Sequence, residues 1–379
     1  MEVHMATILR IYDKFEIAER GNVYSIKNET YPSSFKLGDV FFDLTGNRFK
    51  VTGIEMYRCS TSGEISPDKS GIMLENIDNA EMQGQLLISE PPQIHFLFCN
   101  HPLYSRKVDE DYKEEFDICS QRFSTMLFSY EDLERNQLSL YGDKFEGIAI
   151  YRGWMMKPEL YALFYEKLKE QNIILINSPE EYNHYHLLPH WYHEFEEDTA
   201  KSAWTDTPDV NAALSLLHSF DGSVMIKDYV KSRKHEWYDA CFIPDVTDTK
   251  NANAVISNFV SRQAENIVGG IVIREFLNLN SIGYHTISAM PISEEYRAFI
   301  LAGNILAIDN YWNENEANAL TFSQADLDWL TAQIKKIHSN FVTMDFARKS
   351  DGSLVIMELG DGQVSGLQQI SPAKFYSEI

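Results

Sequence analysis

The chain has 379 residues, 44% of them hydrophobic, enough for two or three packed domains and inconsistent with a largely disordered protein. Its 33 Lys and Arg face 56 Asp and Glu, a formal net charge of −23, which opposes broad, sequence-independent binding along a phosphate backbone. Four scattered cysteines (Cys59, Cys99, Cys119, Cys241) without a CxxC pair argue against zinc and redox sites, and no apolar run reaches the ~18 residues of a membrane span. No secretion signal is present, so a reducing cytoplasm is the expected setting, with Met1–His4 read as an appended remnant ahead of a native start at Met5.

Residues 6–90 hold short alternating runs, ILRIYDKFEIA, GNVYSI, DVFFDLT, FKVTGIEMY and QLLISE, punctuated by Gly21, Gly38-Asp39, Gly46-Asn47 and Ser62-Gly63. Even spacing of this kind predicts a small antiparallel barrel. The order IYDKFEIAERGNVYSI, KLGD, FKVTGIEMYR and GIMLENIDNAEMQGQLLIS resembles the second-domain β-barrel of elongation factor Tu and related translational GTPases. There is no GxxxxGK[ST] phosphate loop, so the GTPase of that family is absent. The resemblance implies an RNA-related or translation-related partner, or a barrel reused for docking or dimerisation. Residues 1–90 carry nine Lys or Arg against fourteen acids, which lends no support to a basic patch.

Pro91-Pro92 marks the expected boundary. Beyond it, the strands IHFLFCN, TMLFSY, GIAIYRGW and IILINS alternate with the helical stretches DEDYKEEFDICSQRF, YEDLERNQ and PELYALFYEKLKEQ, which predicts a parallel α/β layer. The segment EYNHYHLLPHWYHEF gathers His184, His186, His190 and His193, but no pair has the HExxH arrangement, and a packed aromatic segment is expected rather than a metal site. Further on come a short helix over 208–220, the strand SVMIKDYV, the helix ANAVISNFVSRQAENIV, the strand GGIVIREFL and a strand pair in EYRAFILAGNILAIDNYW joined at Gly303-Asn304. A capping box of Ser323 and Asp326 opens a helix with Leu327, Leu330, Ile334 and Ile337 on one stripe.

The stretch FVTMDFARKSDGSLVIMELGDGQVSGL, residues 341–367, reads as a hairpin turning at Ser350-Asp351-Gly352, which brings Asp345 and Glu358 together. Adjacent carboxylates repel unless a cation sits between them, and oxygen ligands without Cys or His favour magnesium. Two readings stand: a nucleotide–magnesium site, or a surface hairpin whose acids face water. Lys227 on its strand suits phosphate oxygens or a salt bridge to a neighbouring acid. Arg274 and Arg297 interrupt apolar strands, which calls for an anion or a bridge through Glu275 or Glu295.

Together IKDYVKS, IVIREFL, EYRAFI, FVTMDF and MELGDGQVSGL resemble an ATP-grasp domain, of the clade named for two arginines and one lysine, and YRGW, INSPEEY and LLPHWY resemble that clade's N-terminal lobe. The fold so implied is multidomain: an all-β barrel over 1–90, an α/β pre-ATP-grasp lobe over 91–200 and an α+β ATP-grasp domain over 201–379. The resemblance implies ATP and Mg2+ as cofactors, with Asp345, Glu358 and Asp361 on the metal, Arg274 and Arg297 on the transferring phosphoryl, and Lys227 against the α- and β-phosphates. Glu275, Phe276 and Leu277 would form the adenine hinge, and Lys231 with Ser232 would lie in a lid. Gly362–Gly366 would form a loop near the phosphates or the acceptor. The clade's last strand has Glu, any residue, then Asn; here the run is Glu358-Leu359-Gly360-Asp361, which leaves the third metal ligand open among Asp361, a water and a turn role for Asp361. The implied activity is ATP-dependent ligation of a carboxylate to an amine, on a peptide or protein substrate. The alternatives are an RNA or aminoacyl-tRNA acceptor, or a module that binds ATP without turnover.

Overall fold

The computed structural model describes residues 6–17, 21–55, 69–285, 287–312 and 321–379. Met1–His4, Cys59 and the Ser62-Gly63 turn lie outside them. The first layer comprises β1 (Ile8–Ile17), β2 (Gly21–Asn28), β3 (Val40–Phe42), β4 (Arg48–Glu55), β5 (Lys69–Asn76) and β6 (Leu86–Ile88). They pair antiparallel in the order β1-β2-β5-β4-β3-β6, and contacts of β6 with both β1 and β3 close a barrel. Strand alternation divides its apolar residues between two cores. Leu9, Ile11, Phe49, Val51, Ile72 and Leu87 fill the barrel, whereas Ile8, Leu86 and Ile88 face outward and join the core of the next layer.

That layer is built from β7 (Ile94–His101), β8 (Tyr104–Val108), α1 (Lys113–Cys119), β9 (Thr125–Phe128), α2 (Tyr130–Glu134), β10 (Leu140–Gly142), β11 (Gly147–Arg152), α3 (Pro158–Lys169), β12 (Ile173–Leu175), α4 (Pro179–His186) and α5 (Leu188–Trp191). Strands β9, β7, β11 and β12 run parallel, as the strand–helix alternation predicts, with β10 and β8 added antiparallel. Pro158 begins α3 as expected, and Phe164 and Leu168 are fully buried on its inner face.

The remainder holds two further four-stranded sheets. One combines β13 (Ser202–Trp204), β14 (Val224–Lys227), β15 (Phe242–Ile243) and β16 (Val272–Glu275) in the order β13-β16-β14-β15, covered by α6 (Val210–Leu216), α7 (Trp237–Ala240) and α8 (Thr249–Gln263). A small hairpin of β17 (Ser281–Tyr284) and β18 (Pro291–Ser293) leads into the other sheet. This comprises β19 (Glu295–Leu301), β20 (Asn304–Asn310), β21 (Phe341–Arg348) and β22 (Leu354–Asp361), ordered β20-β19-β21-β22, with α9 (Gln324–Ile334) between β20 and β21 and α10 (Pro372–Ser377) last.

Two local expectations shift. The β19–β20 turn is Ala302-Gly303, not Gly303-Asn304: both residues have positive φ (49° and 79°), the backbone of a two-residue hairpin loop whose twist matches its strands. The Ser323–Asp326 capping box is present, but Leu327 is exposed while Leu330 and Ile334 are buried, so the inner stripe of α9 starts one turn late.

Candidate active site

The candidate residues converge where the two four-stranded sheets face each other. In β21 and β22, Asp345 and Glu358 are direct cross-strand partners, so period-two alternation turns both side chains to the same face. On the other side of β21, Arg297 of β19 is in register with Asp345. Its guanidinium is bidentate, Nε to Oδ1 at 2.7 Å and Nη2 to Oδ2 at 2.6 Å, with Nη1 donating to the Gly366 carbonyl at 2.8 Å. Lys227, from the end of β14 in the other sheet, donates to Glu358 Oε1 at 2.8 Å. Each carboxylate therefore has its own cation. Burial raises the Asp345 carboxyl against the pull of Arg297, whereas for Glu358 burial is outweighed by Lys227 and the carboxyl lies below its usual range.

Arg274 lies behind this pair. Its Nη2 donates to Thr199 Oγ1 (2.8 Å) and to the carbonyls of Ile356 (3.3 Å) and Met357 (2.9 Å), and its Nη1 donates to Ser202 Oγ. Met357 is the extra residue of a bulge, for Asp345 opposes Glu358 while Phe346 opposes Ile356. Arg274 thus binds the backbone that aims Glu358, and neither Glu275 nor Glu295 bridges it. Burial with no directly bonded carboxylate lowers its pKa to about 10.

Beyond Lys227 the chain folds over the site. Asp228 is fully buried, its Oδ1 accepting from the amides of Val230 and Lys231, and Ser232 returns to bridge Lys227. Lys231, Ser232 and Lys234 line a cavity of about 320 Å³ shared with His186, Arg297, Tyr311, Thr343, Asp345, Glu358 and Ser365. His186, from α4 of the parallel layer, is buried; burial leads in lowering its pKa to about 4, Lys231 and Lys227 add to this, and the imidazole stays neutral near Lys227 and Glu358. At the proposed hinge, the amides of Glu275 and Phe276 bond to the carbonyls of Lys201 and Ser223, and the Phe276 ring packs on Trp237 and Phe242.

Asp361 does not join the pair. Three residues beyond Glu358, it points from the opposite face of β22, where it accepts from Asn177 Nδ2 (2.6 Å) and from the amide and side chain of Gln363 (2.9 and 3.2 Å). The position that does face the site is Gly360. A Cβ there would lie 2.9 Å from Thr343 Oγ1 and 3.1 Å from Ser365 Oγ, two hydroxyls that bond each other at 2.8 Å. Among the described residues, no cluster of three or more His, Cys, Asp or Glu could hold a metal. The acids facing the cleft are Asp345, both of whose oxygens accept from Arg297, and Glu358, whose Oε1 accepts from Lys227.

The loop after β22 is held from the parallel layer. Arg152 is buried, paired with Glu115 at 3.0 Å, and its Nη1 donates to the carbonyls of Gly362 (2.6 Å) and Ser365 (2.9 Å). The other histidines are engaged locally, His184 with Glu194 and His193 with Glu196. Lys234, Tyr311, Thr343 and Asn177 escaped the sequence reading: Tyr311 and Asn177 meet the site from elements distant in the chain, while Thr343, two residues before Asp345 on β21, carries no motif of its own. The nearest signal was the basic run KSRKH after Lys227.

Residues 215–379 match the family model for an ATP-grasp domain, the third family of the clade named for two arginines and one lysine, which leaves the barrel outside the match. No curated protein matches the chain. Solved structures similar to it include a RimK-domain ATP-grasp protein of Sphaerobacter thermophilus, with 10% identity, TM-score 0.48 and coverage of 75% of this chain and 99% of that one. D-alanyl-alanine synthetase A of Vibrio cholerae shows 12% identity and TM-score 0.46, covering 75% and 93%. The ATP-grasp ligase PsnB, solved with a precursor variant, Mg and ADP, shows 12% identity and TM-score 0.44, covering 75% and 93%.

Proposed function

We propose that this chain is an ATP-dependent ligase that joins a carboxylate to an amine through an acyl phosphate, releasing ADP and phosphate, with a peptide or protein as substrate. The observation that carries this reading is the in-register Asp345–Glu358 pair, met by Arg297 and Lys227 at a cavity lined mostly by the segment that matches the ATP-grasp model. Asp345 and Glu358 would hold a divalent cation, which would supply charge neutralisation at the β- and γ-phosphates. Lys227 and the remaining N–H groups of Arg297 would face phosphate oxygens, while Arg274 keeps the bulge at Met357 in place and so orients Glu358. Residues 275–277 would form the adenine hinge, and the loop bearing Lys231 and Ser232 would cover the phosphates and keep water from the acyl phosphate.

In this scheme a substrate carboxylate oxygen attacks the γ-phosphorus as the bond to ADP breaks. The amine then attacks the acyl carbon, phosphate leaves, and the amine gives up a proton. An RNA or aminoacyl-tRNA acceptor gains no support. The groove between the barrel and the other layers, about 1370 Å³, sets the acids Asp13, Glu81, Glu180, Glu181 and Glu194 against Arg10, Lys14 and Lys335, a net negative lining that is a poor surface for a phosphate backbone. Among the described residues no helix is long and apolar enough to cross a membrane.

The test is calorimetric binding of ATP with and without magnesium, followed by ADP release against pools of amino acids, peptides and tRNA. Magnesium-dependent binding with acceptor-stimulated ADP is the expected result; absence of nucleotide binding overturns the reading. Glu358→Gln is the variant of choice, expected to lower turnover at least ~100-fold with an unchanged circular dichroism spectrum. Its side chain is 39% exposed toward the cleft, whereas Asp345→Asn would strand a buried Arg297 and confound activity with stability.

A further inference from the structure

The groove between the barrel and the other layers, about 1370 Å³, is larger than the cleft of about 320 Å³. It also exceeds the roughly 300–1,000 Å³ of small-molecule pockets, which suits it to a stretch of polypeptide. Its walls are tied to one another. Arg10 of β1 reaches Glu181, the Gln85 amide donates to Asn340 Oδ1 (2.6 Å), and Asn304 at the start of β20 donates to Gln83 Oε1 (3.1 Å). A groove held open in this way costs little to fill.

Three features of the lining select an occupant. The first is apolar surface that folding leaves uncovered, with Tyr12 45% exposed and Ile305 39% exposed. Tyr12 is the extra residue of a bulge in β1, since Ile11 opposes Ile26 and Asp13 opposes Ser25, and bulges re-aim the side chain they carry. The second is charge. Asp13, Glu81 and Glu180 are exposed in the groove and make no ion pair among the described residues, and exposed Glu194 is met by the ring of His184 at 2.8 Å. Only Lys14 and Lys335 stand against these four as exposed Lys or Arg of the lining. The third is an unanswered hydroxyl: Ser339, 4% exposed, lines the groove with an Oγ that has no hydrogen-bond partner among the described residues. A buried polar atom left so is costly until a ligand group completes it.

We propose that this groove binds an extended peptide segment in which basic and apolar side chains alternate. Successive side chains of an extended chain turn to opposite sides, so such a segment meets the acids and the uncovered apolar surface together, while its backbone can answer Ser339. The inference goes beyond the ligase reading and stands without it. The test is fluorescence anisotropy of the full chain with two labelled heptapeptides, one alternating lysine with leucine and one alternating glutamate with leucine, and with spermine and tRNA as competitors.

The lysine–leucine peptide is expected to bind about tenfold more tightly than its acidic counterpart and to weaken as salt rises from about 50 to about 300 mM. Glu81→Lys combined with Glu180→Lys should weaken it about tenfold, and Tyr12→Ser should weaken it severalfold. The same reversal at Glu110 and Glu114, two exposed acids outside the groove, should change it less than twofold. Equal loss from the two pairs of reversals, or equal binding of the two peptides, overturns the groove as the site. Displacement by spermine or tRNA at concentrations as low as those of unlabelled peptide overturns the peptide as its occupant. ATP titrated into the Glu81, Glu180 variant should bind as it does to wild type, which shows that the fold survives the reversal. Failure of wild type itself to bind ATP overturns the ligase reading and leaves the peptide result standing.

Discussion

Asp361 and Glu358 sit three residues apart and do opposite things. Glu358 opens to the cleft beside Lys227, whereas Asp361 has no exposed surface and meets only N–H donors from Asn177 and Gln363. Burial pushes its carboxyl up from 3.8 to about 7 against those donors. With the folded pKa above the unfolded one, the folded state binds the extra proton, so Asp361 favours folding at low pH and that contribution is lost as pH rises through about 7. Between pH 6 and 8 this amounts to about 1 kcal/mol of stability lost with rising pH. The check is urea unfolding across that range in wild type and Asp361→Asn. The variant also disturbs the bond to Asn177, so its absolute stability is uninformative, and the readout is the pH slope. An identical slope in the two proteins removes the assignment.

At the level of the strand, β22 shows what the sequence conveyed and what it did not. Its alternation and the turn at Ser350-Asp351-Gly352 made the hairpin and the Asp345–Glu358 pairing legible, because strand period and turn chemistry are local properties. The same period puts Gly360, not Asp361, on the cleft face; the residue type suggested a ligand and the geometry denies it. Lys234, Asn177 and Arg152 were illegible for another reason: each acquires its role from contacts made across more than 60 residues of chain, as Arg152 does with the 362–365 backbone. Gly360 also supplies a prediction. Even one added carbon there meets the Thr343–Ser365 hydroxyl pair at 2.9 and 3.1 Å, so Gly360→Ala is expected to cost about 1–3 kcal/mol and Gly360→Asn more. Denaturant unfolding measures both. Pairing Gly360→Ala with Thr343→Ala frees the space the new methyl needs and should recover part of the loss; no recovery would mean that the crowding lies elsewhere.

Across the whole molecule, the barrel is bound into the other layers by a buried polar junction. Arg10, 1% exposed on β1, donates to Glu29 (3.2 Å), to Glu181 of α4 (2.5 Å) and to the carbonyls of Leu175 and Ile176 (both 2.9 Å). Asn340, just before β21, ties the third member in: it accepts from the Gln85 amide of the barrel (2.6 Å) and donates to the Ile176 carbonyl (2.9 Å) and Glu181 (3.1 Å). The strand carrying Asp345 therefore begins at a point fixed by both other layers. Removing Arg10 leaves Glu181 buried without its cation, whereas Glu29 keeps Lys169 at 2.7 Å. Arg10→Met is accordingly expected to cost about 3–5 kcal/mol, and adding Glu181→Gln to recover part of it, since the second change removes the stranded charge. If the junction couples the layers, wild type unfolds in one transition by fluorescence and circular dichroism, and Arg10→Met splits it, the barrel melting first. A loss below about 1 kcal/mol with a single transition retained would mean that the apolar contact through Ile8, Leu86 and Ile88 docks the barrel by itself and that the polar junction only sets its orientation.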